Sequence, residues 1–354
     1  MPLIPIEDNF NDVIAKAQRG YGISDVDLVA RAEVSPEDFA AVKAGTPLLP
    51  VLRRIARHLK LSPDALVILA KKEAYPRAPI FPRGFAMFNT PDDDITVNNY
   101  LVWDPKTREA AVVDTGTDVT DLLDVVKSQQ LRVVAILITH SHSDHIAALP
   151  ALVAATGAQV WSHEREPLDF PGARTFADNA YFHLGNIAIK ILPTPGHSAG
   201  QTTFYVQGLS WPLALCGDSL FSASVGGSPT RFAEQVKNTR ARIFSLPKDT
   251  VIGPGHGPLT TLAHERQYNP FFAPDRLAPL TGKAGPAPAA TLAAQAEADA
   301  TAAPARAVDL PKRPRAGKAG RPDTKATPPA KPSKSAKPGR DGARAFKARR
   351  NRST

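Results

Sequence analysis

Residues 8–73 place apolar side chains at mixed spacings of three and four, the period of helices with one buried face. Ser24 and Ser35 stand where N-caps belong, Ser62-Pro63-Asp64 puts proline at a first helical position, and Gly45 followed by Pro47 ends a helix. This pattern predicts about five short helices in a small all-α domain over residues 1–75. From about Pro82 the period changes. Residues 96–103 (TVNNYLVW), 110–114 (AAVVD), 132–139 (RVVAILIT), 159–162, 188–192, 202–206, 213–216 and 250–252 read as strands. Residues 119–129, 146–155, 230–245 and 262–267 read as helices between them. Strands that alternate with helices, beside stretches of strand alone, imply an α/β domain over residues 81–280 with mixed sheets and helices outside.

After Gly282 the chain turns to Ala, Pro, Lys and Arg, with Leu292, Val308, Leu310 and Phe346 as its large apolar side chains. Such a segment buries too little surface to offset its ordering entropy, so residues 283–354 are expected to be disordered. They carry 17 Lys/Arg against 5 Asp/Glu, a charge of +12. The formal charge of +9 on the whole chain of 354 residues is therefore a property of the tail, and the rest is slightly acidic. Weak, salt-sensitive contacts with nucleic acid or acidic partners are expected of the tail alone. The single cysteine, Cys216, excludes an intramolecular disulfide. The N-terminus lacks a basic region followed by an apolar run, and no stretch approaches bilayer length, so a cytoplasmic protein without membrane contact is expected.

Residues 23–69 resemble the small Cro/Xre-type helix-turn-helix domains in the order and spacing of their helices. The resemblance implies a second motif helix that begins near Ser35 and offers its first residues, Glu37 and Asp38 among them, to base edges. Carboxylates repel a phosphate-lined groove, and residues 1–75 hold ten basic and ten acidic side chains, without the surplus of a DNA binder. A packing or dimerising role is expected, with DNA binding as the weaker alternative.

Candidate chemistry begins with the nine histidines. Three fall within six positions, His140-Ser141-His142-Ser143-Asp144-His145, directly after a strand expected to be buried. Alternate residues of extended backbone project the same way, so His140 and His142 can meet one cation while Asp144 and His145 turn toward another. Thr194-Pro195-Gly196-His197 and Gly253-Pro254-Gly255-His256 each deliver one imidazole from a turn fixed by Gly and Pro. Cys216-Gly217-Asp218-Ser219 ends an apolar run on a carboxylate, which alone reads as a turn or a cap. His58, His163, His183 and His264 have no such setting and read as surface or packing residues.

HSHSDH, TPGH, CGDS and GPGH in this order resemble the metallo-β-lactamase superfamily across about 200 residues. The resemblance implies an αβ/βα sandwich with metals at one edge between the sheets. It assigns His140, His142 and His197 to one ion, Asp144, His145 and His256 to a second, and Asp218 to the bridge. Asp114, in Val112-Val113-Asp114-Thr115-Gly116, is similar to the family's strand-ending aspartate that supports a ligand. Two divalent ions are implied, zinc first, with iron or manganese also suited to mixed imidazole and carboxylate donors. Their Lewis acidity makes hydroxide available near neutral pH, held by Asp144 and His145 through the metal, so Cys216 is not needed as a nucleophile.

The β-lactamases proper carry a cysteine where Asp218 stands and nothing that matches His145, which turns the reading away from antibiotic hydrolysis. Residues 246–272, with GDSLF upstream, look like the glyoxalase II-like hydrolases in their short form. That group implies a small-molecule thioester substrate, such as an acyl-glutathione, attacked by hydroxide at its carbonyl. Where the group usually has Gly-Arg, this chain has Gly226-Gly227 and no basic residue before Arg231. Two alternatives share much of the ligand set: a mononuclear iron persulfide dioxygenase, and a nuclease or phosphodiesterase of the same fold.

Overall fold

The computed structural model describes residues 3–77, 79–274 and 308. It opens with α1 (Phe10–Tyr21), α2 (Asp25–Ala32), α3 (Pro36–Lys43), α4 (Leu49–His58) and α5 (Pro63–Ala70). The expected caps close them: the Ser24, Ser35 and Ser62 side chains accept from the backbone N–H of Asp27, Asp38 and Ala65.

The next stretch contains β1 (Phe85–Asp92), β2 (Ile95–Trp103), β3 (Glu109–Val113), α6 (Thr120–Ser128), β4 (Arg132–Leu137), α7 (Ser143–Ile146), α8 (Leu149–Thr156), β5 (Gln159–His163) and β6 (Arg174–Phe176). Its strands form one six-stranded sheet in chain order. A second sheet, ordered β12-β11-β10-β9-β8-β7, comes from β7 (Tyr181–Leu184), β8 (Ile187–Pro193), β9 (Thr202–Gln207), β10 (Leu213–Gly217), β11 (Val251–Pro254) and β12 (Thr260–Thr261). Between β10 and β11 lies α9 (Phe232–Arg242), and α10 (Leu262–Tyr268) follows β12. β3 to β6 pair parallel, as do β10 and β11, and the remaining pairs are antiparallel.

Three apolar clusters set the layers. Met87, Tyr100 and Val113 of the first sheet meet Ile189, Phe204 and Leu215 of the second between the two faces. The outer face of the first sheet is covered by Leu122 of α6 and by Leu149 and Leu152 of α8. The outer face of the second carries Tyr205, Ala214 and Ile252, and there α1–α5 join α9 and α10 in one continuous core that includes Ile14, Leu52, Leu66, Phe232 and Phe271. The result is the expected mixed α/β sandwich with helices on both outer faces. α1 lies close on α9, with Tyr21 edge-on to Phe232 at 5.3 Å. Gly20 permits this, because a Cβ there would fall 2.2 Å from the Phe232 ring.

The main differences from expectation have local causes. The single helix expected over 146–155 is broken into α7 and α8, with Pro150 in the first turn of α8. β1 was not legible because Asn89-Thr90-Pro91-Asp92 reads as turn; it extends because every residue from Phe85 to Asp92 pairs along β2. β6, β7 and β12 are two to four residues long, too short for a period to emerge. The expectation for residues 283–354 lies outside the described residues, Val308 apart. The Val308 backbone N–H donates to the Tyr181 carbonyl on edge strand β7. Among the described residues no helix is long and apolar enough to cross a membrane.

Candidate metal centre

The chain just beyond the C-terminal ends of β4, β8, β10 and β11 converges at one end of the sandwich. There the structure brings together all seven side chains that the sequence singles out as ligands, as three overlapping groups: His140, His142 and His197; His140, His145 and Asp218; and Asp144, His145 and His256. Within each group the donor atoms lie within 4.8 Å of one another. His142 Nδ1 stands 3.1 Å from His140 Nε2 and 2.9 Å from His197 Nε2. Asp144 Oδ2 is 3.2 Å from His256 Nε2 and 3.4 Å from His145 Nε2. Asp218 faces both ends, with Oδ1 3.3 Å from His145 and Oδ2 3.4 Å from His197 and 3.6 Å from His256.

These spacings fit cations. Nitrogen and oxygen donors ~2.1 Å from a tetrahedral ion stand roughly 3.4 Å apart. Two of the converging atoms, His145 Nε2 and Asp218 Oδ1, are buried without a hydrogen-bond partner. Buried polar atoms are rarely left unanswered in native proteins, so a pair of them aimed at each other among imidazoles marks a place for a metal ion.

For His140, His145, His197 and His256 the other ring nitrogen is tied outward, which fixes which nitrogen faces in. His145 Nδ1 donates to Asp114 Oδ2 at 2.8 Å, His256 Nδ1 to the Thr96 carbonyl at 2.8 Å, and His197 Nδ1 to the Gly227 carbonyl at 2.6 Å. His140 Nδ1 meets Thr139 Oγ1 at 3.0 Å, and that hydroxyl donates to Asp114 Oδ2 at 2.7 Å. Asp114 thus holds two of the histidines, one directly and one through Thr139. It does so from left-handed backbone, φ 55°, a conformation that costs energy in a residue with a Cβ and recurs where a side chain must be aimed.

Charge is unevenly spread. Burial works to lower His145, yet the Asp114 and Asp218 carboxylates outweigh it and raise it well above the ordinary imidazole value. His256 is likewise raised, against burial, to about 9 by Asp218 and Asp144. Burial pushes His140 well below its usual value, helped by the neighbouring His145. Burial would raise Asp218, but the imidazoles of His256, His197 and His145 hold it well below the usual carboxylate range. The Asp144 and Asp218 end therefore attracts positive charge, whereas the His140 end offers neutral nitrogens. Cys216 is buried, its thiol pushed far up by desolvation and turned to the carbonyls of Leu220 and Gly253, away from any nucleophilic role.

Several supports were not foreseen. Glu166 accepts from the Ser141 N–H and hydroxyl, the Ser198 hydroxyl and the Gly200 N–H, clamping the first histidine loop to the His197 loop. Gln235 of α9 donates to the carbonyls of Asp218 and Gly226. Asn98 of β2 donates to the carbonyls of Pro254 and Gly257, and it had a signal, an amide inside an apolar strand. Gly255 has no room for a side chain, since a Cβ would fall 2.1 Å from Asp218 Oδ1. Of the histidines without a motif, His163 is buried on Asp178 and His264 meets the Ala74 carbonyl, both away from the centre.

The family described as "Metallo-beta-lactamase superfamily" matches residues 92–256. A probable metallo-hydrolase of Streptococcus pyogenes is 32% identical over 199 residues, 49% of this chain and 84% of that protein. The hydroxyacylglutathione hydrolase of Pseudomonas entomophila is 34% identical over 178 residues, 49% of this chain and 68% of that one. Among solved structures, the BLEG-1 B3 metallo-beta-lactamase matches with a TM-score of 0.47 and 27% identity, over 53% of this chain and 100% of that chain.

Proposed function

The chain belongs to the metallo-beta-lactamase superfamily, and from that premise we propose that it is a metal-dependent hydrolase of thioesters. The observation that carries this reading is the convergence of five imidazoles and two carboxylates around the unanswered atoms of His145 and Asp218. His140, His142 and His197 would hold one divalent ion and Asp144, His145 and His256 a second, with Asp218 facing both groups. Such ions, when bound, supply Lewis acidity, drawing water toward a pKa of ~7 and polarising a carbonyl. The relatives named as hydroxyacylglutathione hydrolases support a thioester as substrate.

The chain's own contribution is alignment. Asp114 and Thr139 fix the rings of His145 and His140, the carbonyls of Thr96 and Gly227 fix His256 and His197, and Glu166 keeps two loops in register. Phe221 lies edge-on to His256 at 5.5 Å and shields that side from water. The seven donors come from loops rather than from one element, so preorganisation depends on these outer contacts. Helices α1–α5 serve as packing for the second sheet. Their resemblance to DNA-reading modules meets Glu37 and Asp38 in the first turn of α3, which disfavour a phosphate backbone.

Elemental analysis of the purified chain, beside release of free thiol from a small thioester panel, tests the reading. Two divalent ions per chain with thiol release are expected. One iron per chain, with oxygen uptake and no thiol release from thioesters, would replace it with the dioxygenase.

A further inference from the structure

The segment before α1 runs beside the turn that delivers His256: a Cβ on Gly257 would stand 3.3 Å from the Glu7 backbone nitrogen. The next residue, Asp8, is buried and paired with Lys16 of α1, whose side chain is 13% exposed. A buried ion pair stabilises a fold less than apolar groups of the same volume, yet it fixes the position of whatever it binds. The other contacts of this pair converge on one loop, residues 218–227. The Ser224 hydroxyl donates to Asp8, Lys16 donates to the Val225 carbonyl at 2.9 Å, and its ammonium stands 5.1 Å from the centre of the Phe221 ring.

That loop is tied to the donor cluster at three points. It starts on Asp218, whose carbonyl accepts from the Gly226 N–H at 3.1 Å. It ends on Gly227, whose carbonyl accepts from His197 Nδ1 at 2.6 Å. Between them Phe221 lies edge-on to His256. The backbone does not take this path by preference: Ala223 sits at φ 59°, in the left-handed region, between the paired Phe221 and Ser224. Contacts from outside hold it there. From α10, Glu265 accepts from the Ala223 N–H and Asn269 donates to the Ser224 carbonyl. From the N-terminal side, Asp8 and Lys16 hold Ser224 and Val225, where the chain leads on to Gly226 and Gly227.

We propose that Asp8 and Lys16 are positioning residues of the metal centre, holding the loop of residues 218–227 so that Asp218, His197 and His256 meet at donor spacing. The N-terminal helices are then a working part of the centre, beyond their packing on the second sheet. The inference rests on the proposed metal centre and adds to it a region outside the matched family span, residues 92–256.

The test uses the full chain with zinc alone, affinity being read by chelator competition and stability by thermal unfolding. Asp8→Asn combined with Lys16→Met removes both charges together, so that no lone charge stays buried. Zinc affinity is expected to fall about tenfold, the lower end of what residues that orient a ligand from behind contribute. Ser224→Ala keeps the pair and cuts one tie to the loop, and should weaken zinc less but in the same direction. Leu52→Ala lies in α4, which packs on α2, α3 and α5, and should lower the melting temperature yet leave zinc affinity within about twofold. Unchanged zinc affinity in the double variant, or in Ser224→Ala should the double variant not fold, overturns the role of the pair and leaves the metal centre standing. An equal loss in Leu52→Ala does the same. A wild-type chain that takes up no zinc overturns the metal centre itself, and the inference with it.

Discussion

The two halves of the donor cluster are built differently. His140, His142 and His197 offer three imidazole nitrogens and no carboxylate of their own, and His142 is exposed to solvent. Asp144, His145 and His256 include a carboxylate, with His145 buried and backed by Asp114. Both groups suit a divalent ion by spacing, but the second brings more negative charge and deeper burial, where charge is screened less. The second group should hold its ion more tightly, and the first should be the half that exchanges metal with solvent.

Three substitutions break or sharpen this contrast. Asp218→Ala removes the carboxylate common to both halves, so metal content should fall toward zero and turnover by roughly 10³-fold or more. His142→Ala strikes only the all-histidine group and should leave about one ion per chain, still held in the carboxylate half. Equal metal loss in these two variants would show that the halves act as one unit. Asp114→Asn keeps the shape but removes the charge behind His145, and should weaken metal affinity by about 10–100-fold at the second group first, read by chelator competition.

Glu265 provides the smallest effect and a control away from the centre. Burial pushes its carboxyl up from 4.5 to about 7, against hydrogen bonds from Thr260, Asn269 and Ala223. The folded state thus holds a proton that the unfolded chain releases. The resulting stability is complete below pH 4.5 and is lost as pH rises through about 7. Glu265→Gln should match the wild type in unfolding free energy at low pH and exceed it above pH 7, by no more than roughly 3 kcal/mol, read by denaturant titration at each pH. Metal content should not change.

How much of this was legible in the chain varies with the range of each contact. The helix caps at Ser24, Ser35 and Ser62 are local events and were read correctly. So were the buried strands 132–137 and 213–217, whose unbroken apolar runs leave little choice of structure. All seven candidate ligands stood out because His140 to His145 are neighbours in sequence and His197, Asp218 and His256 each sit in a turn of recognisable composition. Glu166 carried no signal, because its four hydrogen bonds run to segments 25 to 34 residues away. β1 was hidden by turn-like residues that only pairing with β2 overrides.

By itself the sequence singled out the side chains that the structure brings together as candidate ligands and showed where the backbone turns, since both follow from residue type and near neighbours. The tertiary structure alone decided that Asp114 backs His145, that the N-terminal helices cover the second sheet, and that Glu7 reaches the turn of His256 about 250 residues further on. Contacts of that span are selected by burial and complementary charge after the chain has collapsed, and no local pattern of residues encodes them.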